Sequence, residues 1–302
     1  MRESILITGA NGLVGRATLA RLGSSRRVYA LVREPLQGSL LGSAVPVVHN
    51  LCQHHDPEPP EVPDTIVHLA QSSRYRDFPE GALDVFEVNV GSTQRLLDWA
   101  CRQGVKRFVY ASSGGIYGHG ETAFEEDALI KSSAFLGHYT SSKRCGELLT
   151  EAYGGHMIVI VLRFFFVYGP GQRRTMLIPR LIDSVLHGRP IILQGKDGLR
   201  INPVYVDDAA TAIEAAVRLE ASETFNIAGP KILTLREIGE LIGEAMERKP
   251  NFEVQLDVEP KHIVGSTSKM SRLLGSPEIA MTEGVRRMVA IDQAASGYMH
   301  AD

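Results

Sequence analysis

Apolar positions alternate between two rhythms over the first half of the chain. Short, almost wholly apolar runs at 4–8, 27–32, 45–48, 64–70, 105–111 and 157–165 have the length and content of buried strands. Helical spacings lie between them: Ala17, Leu19, Ala20 and Leu22, then Leu83, Phe86, Val90, Leu96, Leu97 and Ala100 across about 82–103. Gly104 stops that segment, and a second long helix covers roughly 138–154. Strands apolar on both faces, alternating with helices, predict an α/β fold with a doubly wound parallel sheet covered on both sides. Beyond Gly169-Pro170-Gly171 the rhythm changes. Helical stretches at 177–187, 206–219 and 235–247 are separated by short strands at 190–193 and 224–227, and the tail from Lys261 is mixed. The pattern predicts a dinucleotide-sized unit over 1–170, rejoined by 200–225. A smaller α/β lobe over 171–199 and 226–302 is expected across the carboxyl edge of the sheet, where open α/β sheets bind ligands.

The totals change this picture little. At 302 residues the chain can bury a substantial core. The 32 Lys and Arg against 35 Asp and Glu contain no long single-sign block, so nucleic acid and anionic membrane are not expected partners. Cys52, Cys101 and Cys145 are odd in number and widely spaced, which predicts no disulfide framework and fits a reducing cytoplasm. The first apolar run is too short for a leader and no run approaches membrane-spanning length, so a cytoplasmic protein is expected. The polar, proline-rich stretch 51–63 reads as a surface loop. His54 and His55 within it lack partners at metal-ligand spacing, and no metal site is expected.

Three places carry chemistry. Gly9, Gly12 and Gly15 follow the first strand and open the first helix, which is the build of a pyrophosphate seat: tight turn, close backbone approach, and a helix N-terminus facing the anion. Their spacing is G-x-x-G-x-x-G, and a Gly-rich turn with no ligand has the same pattern. Tyr139 and Lys143 are four apart near the start of a helix and share a face, so an ammonium lies near a phenol. Such a charge favours the phenolate and brings it into range for proton transfer. An incidental surface pair has that spacing too. Ser112-Ser113-Gly114-Gly115 ends a strand, where a hydroxyl faces the ligand crevice or merely forms a turn.

Together these pieces resemble the extended short-chain dehydrogenase/reductases, the NAD(P)-dependent sugar-nucleotide epimerases, dehydratases and ketoreductases. The resemblance runs almost end to end. His68-Leu69-Ala70, Asn89-Val90-x-Ser92-Thr93, Leu162-Arg163 with Val167-Tyr168-Gly169-Pro170-Gly171, Val204-Tyr205-Val206-Asp207-Asp208 and Phe225-Asn226-Ile227-Ala228 match family segments in order. The resemblance implies a Rossmann-type sheet and a hydride-transfer enzyme. It makes Tyr139 the acid/base, Lys143 its partner on the nicotinamide ribose, and Ser113 the orienting hydroxyl, with Ser112 as the alternative. Gly9, Asn11, Gly12, Leu13, Val14, Gly15, Arg16, Asn50, Leu51, Leu69, Ala70 and Asn89 would line the cofactor. The helices at 82–103 and 138–154 would pair in a homodimer.

Two departures bear on cofactor and substrate. The acid that ends strand two in NAD-dependent members is replaced by Val32, followed by Arg33 and Glu34. A guanidinium suits a 2′-phosphate, so Arg33, helped by Arg16, predicts NADP over NAD, with Glu34 leaving NAD open. The strand end Ser113-Gly114-Gly115 lacks the acids of the dehydratases, which disfavours dehydration. Epimerisation of a nucleotide-linked sugar through a transient ketone is the expected reaction. NADPH-dependent reduction of a keto-sugar or other small ketone, or a catalytically silent NAD(P)-binding regulator, are the alternatives. Arg200 occupies the place of the family's diphosphate-binding arginine, while Phe166 stands where the family often has a substrate-contacting Asn.

Overall fold

The computed structural model describes residues 3–34, 42–130 and 137–297, without the side chains of 293–297; the ends of the two expected units, 1–2 and 298–302, lie outside it. In chain order the elements are β1 (Ser4–Thr8), α1 (Leu13–Leu22), β2 (Arg27–Val32), β3 (Val45–Val48), β4 (Thr65–His68), α2 (Ala82–Phe86), α3 (Ser92–Gln103), β5 (Arg107–Ser113) and α4 (His138–Ala152). They continue with β6 (Ile158–Phe164), α5 (Leu177–Leu186), β7 (Pro190–Gln194), β8 (Arg200–Ile201), α6 (Val206–Ala216), β9 (Glu223–Ile227), β10 (Leu233–Thr234), α7 (Leu235–Met246), β11 (Asn251–Gln255), α8 (Ser268–Leu273) and α9 (Met281–Gly297).

Seven strands form one sheet in the order β3-β2-β1-β4-β5-β6-β9, and every pairing in it is parallel. The two-faced apolar strands follow from the pleat, which sends successive side chains to opposite sides. Ile5 and Ile7 of β1 enter a core with Leu19 of α1 and Ile213 of α6, while Leu6 between them enters a second core with Leu96 and Trp99 of α3. Both layers are dry: Ile5, Leu6 and Ile7 are all fully buried. Burying one such side chain contributes about 1.5–3 kcal/mol.

The lobe has its own core, built from Ile182 and Val185 of α5, Ile238 and Ile242 of α7, and Val285 and Val289 of α9. Two small sheets edge it, β7 with β11 in parallel and β8 with β10 antiparallel. The short strand at Arg200 therefore pairs within the lobe. The chain returns to the main sheet with α6, which packs on α1, and with β9 beside β6.

Two elements differ from the periodic pattern. The helix expected across 82–103 carries a π-helical turn at Glu87–Gly91 between α2 and α3. An inserted residue shifts the phase by about 100°, but of the apolar positions at helical spacing only Leu83 and Phe86 precede the turn, too few for the sequence to register the shift. The mixed tail contains α8 and α9, where Met281, Val285, Met288 and Val289 form a buried stripe between charged residues. No helix among the described residues is long and apolar enough to cross a membrane.

Candidate active site

The chain leaves β1 toward β2 and β3 on one side and returns through β4 toward β5 and β6 on the other. A crevice opens where the order reverses, above the carboxyl ends of β1 and β4. Gly9 ends β1 at φ +65°, and a Cβ there would stand 2.7 Å from the Ala70 nitrogen. A Cβ on Gly15 would stand 2.2 Å from the Gly9 carbonyl oxygen, so only glycine lets α1 start this close to β1. Gly12 caps α1 without a side-chain hydrogen bond and no acid lies in the first turn. The first intrahelical bond is from the Arg16 N–H to the Gly12 carbonyl. The amides of Leu13, Val14 and Gly15 precede it and have no carbonyl of the helix to bond, the arrangement that suits an anion. This cradle fits a dinucleotide pyrophosphate.

The remaining residues expected at the cofactor surround that seat. Asn11 is exposed at the turn, and Leu69 is half-buried against the core. The Ala70 N–H donates to Thr8 Oγ1 at 3.1 Å. Arg16 reaches the lobe, with Nη2 3.5 Å from the Gly171 carbonyl. Arg33 is exposed just past β2, near enough for its charge to act on the Cys52 thiol. Asn50 Oδ1 accepts the Cys52 N–H at 3.1 Å, and the Leu51 carbonyl accepts from Arg95.

Ser113, the last residue of β5, accepts the Gly115 N–H at 3.2 Å, and its hydroxyl lies near enough to Tyr139 to act on the phenol. Ser112 points to the other face of the strand, where its Oγ is buried without a hydrogen-bond partner. Ser113 is thus the serine brought to Tyr139. Tyr139 lies in the first turn of α4 and donates from its hydroxyl to Gln71 Oε1 at 3.0 Å. Its ring is 5.0 Å from that of Tyr75. Burial holds the phenol well above the usual tyrosine range, the Tyr75 hydroxyl adds to this, and the Ser113 hydroxyl opposes it.

One turn on, Lys143 is buried and its Nζ donates to the Ala111 carbonyl at 2.8 Å. Burial lowers its pKa to about 8, with Glu147 acting in the opposite direction. Burial, and not the ammonium, therefore sets the Tyr139 phenol, which sequence spacing does not reveal.

A chain of hydrogen bonds joins the glycine turn to α4. Thr8 Oγ1 and His68 Nδ1 are 2.7 Å apart, and His68 Nε2 and Thr93 Oγ1 are 3.0 Å apart. Thr93 donates to the Asn89 carbonyl at 2.8 Å, so it accepts from Nε2–H while Thr8 donates to Nδ1. Burial, reinforced by Lys143, lowers the His68 pKa to about 3 and keeps the ring neutral. Asn89, in the π turn, accepts the Ser72 N–H at 2.9 Å and donates to Ser142 Oγ at 2.9 Å. Ser142 donates to the Tyr139 carbonyl at 2.7 Å. The Asn89 amide thus holds the β4 turn against the helix that carries Tyr139.

On the lobe side, Phe166 has φ +45°, an uncommon region for a bulky residue, and packs between the lobe core and Phe165. Arg200 donates to the backbone carbonyl and the carboxylate of Glu121, each at 2.9 Å. Gln71 and Tyr75 were not foreseen from sequence. The available signal was a polar residue directly after Ala70 at the carboxyl end of β4.

A family model described as "NAD dependent epimerase/dehydratase family" matches residues 5–228. A UDP-glucuronate 4-epimerase of Thermodesulfobacterium geofontis is 30% identical over 233 residues, 74% of this chain and 71% of its own. A dTDP-glucose 4,6-dehydratase of Streptomyces griseus is 32% identical over 238 residues, 75% of this chain and 71% of its own. Among solved structures, MoeE5 in complex with UDP-glucuronic acid and NAD has a TM-score of 0.81 at 26% identity, covering 97% of this chain and 99% of its own. That structure holds NAD, and the NADP preference expected from Arg33 finds no support in these relatives. On the match of more than two thirds of its residues, the chain belongs to the NAD dependent epimerase/dehydratase family of enzymes.

Proposed function

We propose that the protein is an NAD-dependent epimerase acting at carbon 4 of a UDP-linked sugar. The observation that carries this reading is the meeting of Ser113 and Tyr139 at the end of β5, beside the glycine cradle, with Ser-Gly-Gly where a dehydratase would present acids. The UDP-glucuronate 4-epimerase relative and the NAD and UDP-sugar of the MoeE5 structure support it. NAD would sit with its pyrophosphate on the amides of Leu13, Val14 and Gly15. When bound, it supplies an acceptor and donor of hydride. Tyr139 takes the proton of the sugar C4 hydroxyl and returns it to the same oxygen after the ketone has turned its other face toward the nicotinamide, while Ser113 hydrogen-bonds that oxygen. Lys143 supports Tyr139 from one helical turn away. Arg200 would meet the diphosphate, since its present partner Glu121 is 82% exposed and free to yield. Phe166 offers a ring face in place of an amide, which leaves Arg200 the larger share of anion recognition.

The same reading includes a homodimer paired through α2, α3 and α4. Leu83 and Phe86 of α2 and Leu148 of α4 are 82%, 52% and 52% exposed, too apolar a set for a solvated helix face. Sedimentation at micromolar concentration should give a dimer, and L83E/L148E should give a monomer.

The test of function is incubation with UDP-glucose and UDP-glucuronate, with products separated by anion-exchange chromatography and assigned by NMR. The expected product is the C4 epimer without net accumulation of NADH. Y139F should lose about a thousandfold or more in turnover while retaining NAD. A 4-keto-6-deoxy product, or no turnover of either sugar, would overturn the reading.

A further inference from the structure

We propose that Gln71 is a positioning residue for Tyr139: its side-chain carbonyl holds the protonated phenol and, after the amide turns over, its N–H groups hold the phenolate. This rests on Tyr139 as the acid/base of the reaction. An acid/base tyrosine alternates between a donor and an acceptor of hydrogen bonds, so a partner of fixed polarity serves one state and opposes the other. An amide carries both polarities on one planar group, and half a turn exchanges them at the same place.

The surroundings leave this task to Gln71. The Tyr139 hydroxyl donates to Gln71 Oε1 at 3.0 Å, with the Ser113 hydroxyl nearby. The ionisable and charged groups nearby are committed elsewhere. Lys143 donates to the Ala111 carbonyl, and the Tyr75 hydroxyl donates to Met176 Sδ at 2.9 Å. The Tyr110 hydroxyl is 3.4 Å from the Lys143 carbonyl oxygen. His138 is bonded to the Ala82 carbonyl, Arg76 to the Thr175 carbonyl, and Asp84 takes the Ser72 hydroxyl. Gln71 itself is exposed, so its side chain can rotate. Its backbone is pinned on both sides, by Ala70 N–H on Thr8 and by Ser72 N–H on Asn89. A mobile amide on a fixed base can change polarity without losing Tyr139.

The substitutions separate the two halves of this role. Q71E keeps the shape but only accepts, and adds a charge that repels the phenolate. Q71L removes both polarities. The readout is the ionisation of residue 139 itself, with 3,5-difluorotyrosine placed there to bring it into the neutral range and followed by fluorine NMR in the NAD-bound full chain. Relative to the parent, Q71E should raise the apparent pKa by about one unit or more, and Q71L by less. Q71E should also lower kcat/KM about tenfold at neutral pH, with Q71L recovering part of the loss. Coincident titrations of the parent, Q71E and Q71L would overturn the proposal and leave the epimerase reading standing. Because the titration needs no substrate, failure to turn over UDP-sugars would overturn that reading and leave this proposal open to its own test.

Discussion

Two buried bases on opposite sides of the Asn89 turn show how this site sets charge by burial. His68 has its pKa lowered to about 3 and Lys143 to about 8, desolvation being the first cause of each. A group whose folded pKa lies below its unfolded value contributes stability that is present above the unfolded value and lost as pH falls toward the folded one. For Lys143 that window lies between about 10.5 and 8. Chemical denaturation at pH 7.5 and 10 should show the parent gaining about 2 kcal/mol on K143M over this interval. Groups common to both proteins cancel in the comparison, and equal pH dependence would mean that Lys143 is not desolvated. The two neighbouring serines give a second contrast. S113A removes the hydroxyl facing Tyr139 and should lower kcat about a hundredfold. S112A removes a buried hydroxyl that has no partner and should leave kcat within a factor of two or so, with stability unchanged or slightly raised.

At the scale of elements, α4 carries the residues proposed for the chemistry, and two contacts fix its depth. A Cβ on Gly146 would stand 2.0 Å from the Tyr110 hydroxyl, so glycine alone lets the helix lie this close to β5. One turn after Lys143, the fully buried Glu147 makes a two-pronged pair with Arg163 of β6, both contacts at 3.0 Å. R163L removes both of these bonds and leaves the buried carboxylate only Arg144, at 2.8 Å, and should cost about 3 kcal/mol, measured by urea unfolding. E147L/R163L should recover most of the loss, and a double variant as unstable as R163L would contradict this account of α4. The helix itself was legible as a segment over roughly 138–154, and Tyr139 and Lys143 from their spacing. The depth was not, because it depends on which strand residue a glycine meets. The π turn that buries Asn89 was hidden for another reason: the helix before it, Ala82–Phe86, is too short for its apolar positions to fix a phase from which the shift could be read. The strands were easier to read, since a parallel strand covered on both sides admits few polar residues.

Across the whole molecule, the reversal of strand order brings the glycine turn and the β4 turn to one crevice, and α4 delivers Tyr139 to the same place. The sheet was legible because it needs only alternation and apolarity. The lobe was half-legible: α5 and α7 carry clear stripes, whereas the short stripe of α9 is interleaved along the sequence with Glu283, Arg286 and Arg287 of its exposed face, so the tail reads as mixed. Gln71 was out of reach because its contact with Tyr139 joins residues 68 apart in the chain. The proposed substrate contacts Arg200, Phe166 and Ser113 belong to three different segments, so no local spacing links them. The central claim is that one tyrosine and one retained dinucleotide remove and return hydrogen at a single sugar carbon. The most direct measurement is NMR of the product formed from a UDP-sugar carrying deuterium at carbon 4. The account predicts the C4 epimer with deuterium kept at that carbon and no such product from Y139F. Loss of the label to solvent, or its appearance at carbon 6, would contradict it.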